Sequence, residues 1–151
     1  MSIALKRNID AYVIGYNSLT PEVITAGAGN DGIELDGNAF DRDDLIGDAL
    51  SASIFVNATV NVSGTDTVTV ALQVQDSDNG SDWLDFGPDI TDTVFSVDGD
   101  HLVQEPLNLA GARQHIRVQY TFTLSAGGTD TAAVAAVISM SGFPELPNLA
   151  P

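Results

Sequence analysis

Apolar residues alternate with polar ones in four stretches of this chain, and the stretches fall into two similar units. In residues 50–75 the even positions Leu50, Ala52, Ile54, Val56, Ala58, Val60 and Val62 are apolar, followed by Val68, Val70, Leu72 and Val74. In residues 113–140 they are Ile116, Val118, Tyr120, Phe122 and Leu124, followed by Ala132, Val134, Ala136, Ile138 and Met140. Side chains of a strand point alternately to opposite faces, so each stretch predicts a strand with one buried and one solvated side. A turn sequence splits each unit: Gly64-Thr65-Asp66-Thr67 in the first, Gly128-Thr129-Asp130-Thr131 in the second. Each unit therefore predicts a long hairpin, and two such hairpins predict the frame of a β-sandwich.

Shorter strands and turns fill the rest. Thr20-Pro21 begins a new unit, because proline fixes its own φ and restricts the residue before it. Residues 23–26 and 33–35 read as short strands around the glycine-rich turn of residues 27–32. Residues 40–46 predict one helical turn. Residues 93–97, 101–104 and 107–109 read as short pieces, the last two split by Pro106. The expected architecture is all-β: a single-domain antiparallel sandwich over residues 18–142. Residues 1–17 form an N-terminal arm or edge strand, and the proline-containing residues 143–151 form an extended tail.

At 151 residues one domain is the natural count, with enough core to fold unaided. There is no cysteine, which excludes disulfides, thiolate metal sites and thiol catalysis. Lys6 and Arg7 are followed by Asn8 and Asp10 rather than an apolar core, so no secretory signal is expected. The longest apolar run, residues 132–138, is far short of the roughly 20 residues a membrane helix needs. The formal net charge is −16, the reverse of the basic footprint that binds phosphates, so no nucleic-acid partner is expected. The charge serves solubility, a basic partner, or life in salt.

Candidate chemistry is sparse. Asp76, Asp78, Asp82 and Asp85 are the available metal ligands. Their spacing departs from a helix-loop-helix calcium loop, with Asn79-Gly80 one residue early and Gly87 where a bidentate Glu belongs. The alternative is a solvated hairpin loop in which Gly80 takes positive φ. His101 and His115 read as exposed polar residues, and Trp83 reads as core. No catalytic motif and no cofactor site stand out, and an enzyme is not expected. Arg113, His115 and Arg117 share one strand face. Either they pair with acids of a neighbouring strand, or they anchor a subunit contact.

One further pattern is recognisable. Residues 72–83, a strand followed by Asp-Ser-Asp-Asn-Gly-Ser-Asp-Trp, resemble a hairpin of head decoration (cement) proteins of tailed bacteriophages. Ser18-Leu19-Thr20-Pro21, Ile24-Thr25-Ala26 and Gly32-Ile33-Glu34-Leu35-Asp36-Gly37 are similar to the opening of those proteins, and Arg117-Val118-Gln119-Tyr120 to their closing hairpin. The resemblance implies a jelly-roll-like sandwich on the outside of the capsid, made in the host cytoplasm, trimeric, and partnered with the major capsid protein. Outside the resemblance, Lys6, Arg7, Tyr12, Tyr16 and Phe143, with Arg113 and Arg117, are the candidate capsid or subunit contacts. The competing readings are a carbohydrate-binding or adhesin-type sandwich, calcium-dependent or not, and a phage tail component.

Overall fold

A computed structural model describes residues 13–26, 33–42, 49–125 and 129–142. Among them are ten strands and no helix: β1 Ile14–Thr25, β2 Ile33–Asp36, β3 Phe40–Asp41, β4 Ser51–Asn61, β5 Val68–Ser77, β6 Leu84–Asp85, β7 Ile90–Phe95, β8 Gly99–Asn108, β9 His115–Leu124 and β10 Thr131–Ser141. One sheet runs β1-β10-β4-β8 and the other β2-β9-β5-β6, with β3 also on β9 and β7 also on β5. β2 and β3 lie in succession along one side of β9, and β6 and β7 along one side of β5. Taking each pair as one interrupted strand leaves two four-stranded sheets in jelly-roll order.

That order corrects the two-hairpin reading. β4 and β5 lie in different sheets, and so do β9 and β10. The units interlock instead: β4 pairs with β10 from Ser51↔Ser141 to Asn61↔Thr131, and β5 pairs with β9 from Val68↔Leu124 to Ser77↔His115. Alternation is the same for a hairpin and for an arch that crosses between sheets, so it does not separate the two. Link length does: a tight hairpin wants two residues, whereas the links 62–67 and 125–130 are long enough to cross the ~10 Å between sheets. The described parts of these links meet at one end of the sandwich. There the Ser63 amide and hydroxyl donate to Asp130 Oδ1 at 3.1 and 2.8 Å.

The even positions form the core as the alternation predicts. Ile54, Val56, Val68, Ile116, Val118, Tyr120, Phe122 and Ile138 are fully enclosed, each large side chain contributing about 1.5–3 kcal/mol. The exceptions flank β4: Leu50, which precedes it, is 44% exposed, and Val62, which follows it, is only half-buried. Two prolines expected to interrupt strands do not. β1 runs through Thr20-Pro21, with Pro21 in a bulge between the pairings of Leu19 and Glu22, and β8 runs through Pro106 opposite Ser53. Both are edge strands, where a missing N–H is tolerated. The expected arm boundary at residue 17 thus falls inside β1. Of the helical turn expected over residues 40–46, Phe40–Asp41 is a strand, because Phe40 is buried, pairs with Ile116 and meets the Tyr16 ring at a tilt with centroids 4.9 Å apart, and residues 43–46 lie outside the described residues.

One polar pin crosses between the sheets. The Tyr120 hydroxyl on β9 donates to Ser18 Oγ on β1 at 2.6 Å, and both residues are fully buried. Gly37 passes beside this pin, where a Cβ would sit 2.6 Å from the Val118 carbonyl oxygen and 3.0 Å from that of Ser18. Only glycine fits so close an approach. Burial pushes the Tyr120 phenol up to about 12, with the Ser18 hydrogen bond acting the other way.

Candidate functional site

The outward positions of β9 carry the basic stripe, and the structure joins it to acids and amides of adjacent strands. Arg117 reaches Asp36 Oδ2 on β2 at 2.8 Å with Nη1 and Gln75 Oε1 on β5 at 2.8 Å with Nε. Its guanidinium also lies 4.7 Å from the centre of the Trp83 ring. Trp83 is therefore not core, as its sequence context suggested. It sits half-buried on the outer side of the six-stranded sheet, its face covered by a cation. Arg113, just before β9, faces Asp76 at 3.8 Å and Asp78 at 3.5 Å, and its backbone N–H donates to Asp76 Oδ2 at 3.0 Å. The exposed part of this pairing contributes at most about 1 kcal/mol.

The four aspartates of the 76–85 loop are not brought together. Asp76 and Asp78 turn toward Arg113. Asp82 accepts from the Asn79 amide at 2.7 Å, and Asp85 accepts from Gln75 at 3.0 Å. The loop is closed by its own polar groups. Ser77 Oγ accepts the N–H of Asn79 and Gly80, Asn79 Oδ1 accepts those of Ser81 and Asp82, and Gly80 has φ +69°. Among the described residues no three His, Cys, Asp or Glu converge as metal ligands.

Of the other candidate contacts, Lys6, Arg7, Tyr12 and Phe143 lie outside the described residues. Tyr16 is on edge strand β1, with its ring on Phe40. His115 is half-buried, its ring beside Gly80. His101 is half-buried rather than exposed, because it stacks on Phe95 at 4.3 Å and Nε2 lies 2.8 Å from the Val97 carbonyl. A cleft of about 500 Å³ opens between β8 and the β6–β7 side of the sandwich. Its floor is Val74, Leu107 and Leu109, and its lining carries Asp89 and Glu105 but no nucleophile paired with a base.

Two features were missed from sequence. The first is Arg42, only 4% exposed. It donates to the Ala49 carbonyl at 3.1 and 2.8 Å and to the carbonyls of Ala112 and Arg113, tying the approach to β4 to that of β9. No local motif marks such a clamp. The second is the outer face of the four-stranded sheet. Side by side across its middle lie Asn17, Val137, Phe55 and Gln104, flanked by Ala135, Asn57 and Leu102. Neither central strand places a charged residue outward; the central strands of the other sheet place Arg117 there and no acid, and both sheets carry acids on their edge strands, Glu34, Asp36 and Asp85 on one and Glu22 and Asp100 on the other.

The sequence matches no family model and no curated protein sequence. Its fold matches solved structures. A structure of infectious bursal disease virus, Gx strain, aligns over 92% of this chain with a TM-score of 0.54 and 10% identity. The VP2 subviral particle of infectious bursal disease virus aligns over 89% with a TM-score of 0.50 and 10% identity. The chain spans 34% and 33% of the length of those two chains. At this identity the likeness is one of fold: a jelly-roll-like sandwich of the kind found in a viral particle.

Proposed function

We propose that this chain is a noncatalytic structural protein of a virus particle, a decoration or cement protein on the outside of a tailed-phage capsid. The observation that carries the reading is the jelly-roll frame, whose counterpart in the VP2 subviral particle covers 89% of the chain. The rest of the molecule supports it. The charged and amide side chains on the outer side of the six-stranded sheet, Arg113, Arg117, Gln75 and Gln119, are engaged with Asp36, Asp76, Asp85 and Glu34, and the cleft pairs no nucleophile with a base. A body of net charge −16 suits the outer surface of a shell rather than an interior packed with DNA phosphates. The proposed partner is the major capsid protein, and the proposed unit is a homotrimer made in the host cytoplasm.

Co-sedimentation tests this directly. Heads lacking this protein are mixed with the purified chain and pelleted. Saturable pelleting with the heads, and heads that then resist heating, are expected; a chain that stays in the supernatant at all ratios overturns the reading. A variant lacking residues 1–8 locates the contact. If the arm attaches the protein, the variant folds and remains in the supernatant. A folded variant that still pellets places the contact on the sandwich.

A further inference from the structure

We infer that the cleft beside β8 is the seat of the chain's own N-terminal segment, with Lys6 and Arg7 against its two acids. Edge strand β8 turns the row Val103, Glu105, Leu107 toward the other sheet, since these residues pair with Val56, Ile54 and Ala52 of the buried row of β4. A glutamate is out of keeping with that row. Glu105 is half-buried and shares the cleft lining with Asp89, and among the described residues neither has an ion-pair partner. Two carboxylates over an apolar floor of Val74, Leu107 and Leu109 fit an extended segment that carries cations beside aliphatic side chains.

The chain holds five Lys and Arg. Arg42 donates to backbone carbonyls, Arg113 faces Asp76 and Asp78, and Arg117 holds Asp36. The others are Lys6 and Arg7. In an extended segment Ile3, Leu5 and Arg7 share one side, and Ala4 and Lys6 the other. The first side matches the apolar floor and Glu105; the second turns Lys6 to Asp89, which is exposed at the mouth. The register sets the distance. Ile14 pairs with Met140, Met140 with Ala52, and Ala52 with Leu107. The start of β1 and the cleft therefore lie on one row across the sheet, about 14 Å apart at ~4.8 Å per strand. An extended link from Ile14 back to Arg7 reaches up to ~25 Å, enough to pass around the strand ends. Val13 and Leu50, both exposed, lie at that end, and the Leu50 carbonyl accepts the N–H of Leu109 at 2.9 Å. β10 finishes at the same end, but residues 143–151 carry Glu145 and no cation, so charge selects the N-terminal segment. The inference does not rest on capsid binding, because it is tested on the purified chain alone.

Lys6 is the only lysine, so a zero-length carbodiimide couples one side chain to whichever carboxylate touches it. The whole chain is coupled at low concentration, and the band of monomer mass is digested and mapped by mass spectrometry. Amides from Lys6 to Glu105 or Asp89 of the same chain are expected. Trypsin adds a rate. Cleavage after Lys6 and Arg7 requires the segment to leave the cleft, so it tracks the open population. Glu105→Gln should speed that cleavage about fivefold, the effect of losing one good ion pair. Glu22→Gln, the same loss of charge at the β1 bulge, should not. Amides only to acids outside the cleft overturn the inference, as do amides to Glu105 or Asp89 found only between copies, which would put a neighbour's segment in the cleft. So does a Glu105→Gln variant cleaved at the wild-type rate, the sign that an inward charge merely guards the edge of the sheet.

Discussion

Replacing Tyr120 with Phe removes one oxygen from the centre of the sandwich, and the consequence reverses with pH. At neutral pH the variant loses the 2.6 Å hydrogen bond to Ser18 and leaves a fully buried hydroxyl without its partner. Together these cost about 1.5 kcal/mol. The phenol also has a folded-state pKa raised from 10.0 to about 12, chiefly by burial. A raised pKa means that the folded state favours the protonated form. Its contribution is therefore complete below pH 10 and is lost as pH rises through 12. The linkage relation gives a loss of about 1.4 kcal/mol by pH 11 and about 2.3 by pH 12 in the wild type, and none from this site in Tyr120→Phe. The stability difference of about 1.5 kcal/mol should therefore vanish near pH 11 and change sign above it. The other titrating groups are common to both proteins and cancel. Urea titrations followed by far-ultraviolet circular dichroism, from pH 7 to 12, measure the difference. Ser18→Ala, alone and combined, closes a double-mutant cycle whose coupling should be about 1 kcal/mol at pH 7. A difference that holds constant across the alkaline range refutes the assignment of Tyr120 as a buried, protonated pin.

Three other outcomes follow from the same structure. Val70→Asp and Phe122→Asp each bury a charge at directly paired positions of β5 and β9; neither variant should give a cooperative melt, and wild-type melting of both would mean the wrong face is taken as core. Arg42→Met keeps the aliphatic stem but strands the carbonyls of Ala49, Ala112 and Arg113, and should lower stability by about 3 kcal/mol in urea unfolding; a change under 0.5 kcal/mol would show that the clamp is replaced by solvent. Melts in calcium and in chelator should coincide, because the loop aspartates are engaged with Arg113, Asn79 and Gln75 rather than with one another; a rise of many degrees in calcium would show that they rearrange around the ion.

Period-two alternation identified the buried face of four long strands, because a strand repeats in two residues whatever it pairs with. The same generality hid the pairing. β4 and β5 read as partners because they are neighbours in sequence, yet each pairs with a strand of the other unit far along the chain, from Ser77↔His115 to Ser51↔Ser141. Pro21 read as a new start because proline fixes its own φ and restricts the residue before it, and Pro106 read as a split; but an edge strand tolerates the missing N–H, and only the topology says which strands are edges. Trp83 read as core because a large apolar ring is usually buried. Its cover is Arg117, which a sequence reading had placed on the solvated face. Arg42 left no trace, because its acceptors are backbone carbonyls up to 71 residues away, and every residue has one.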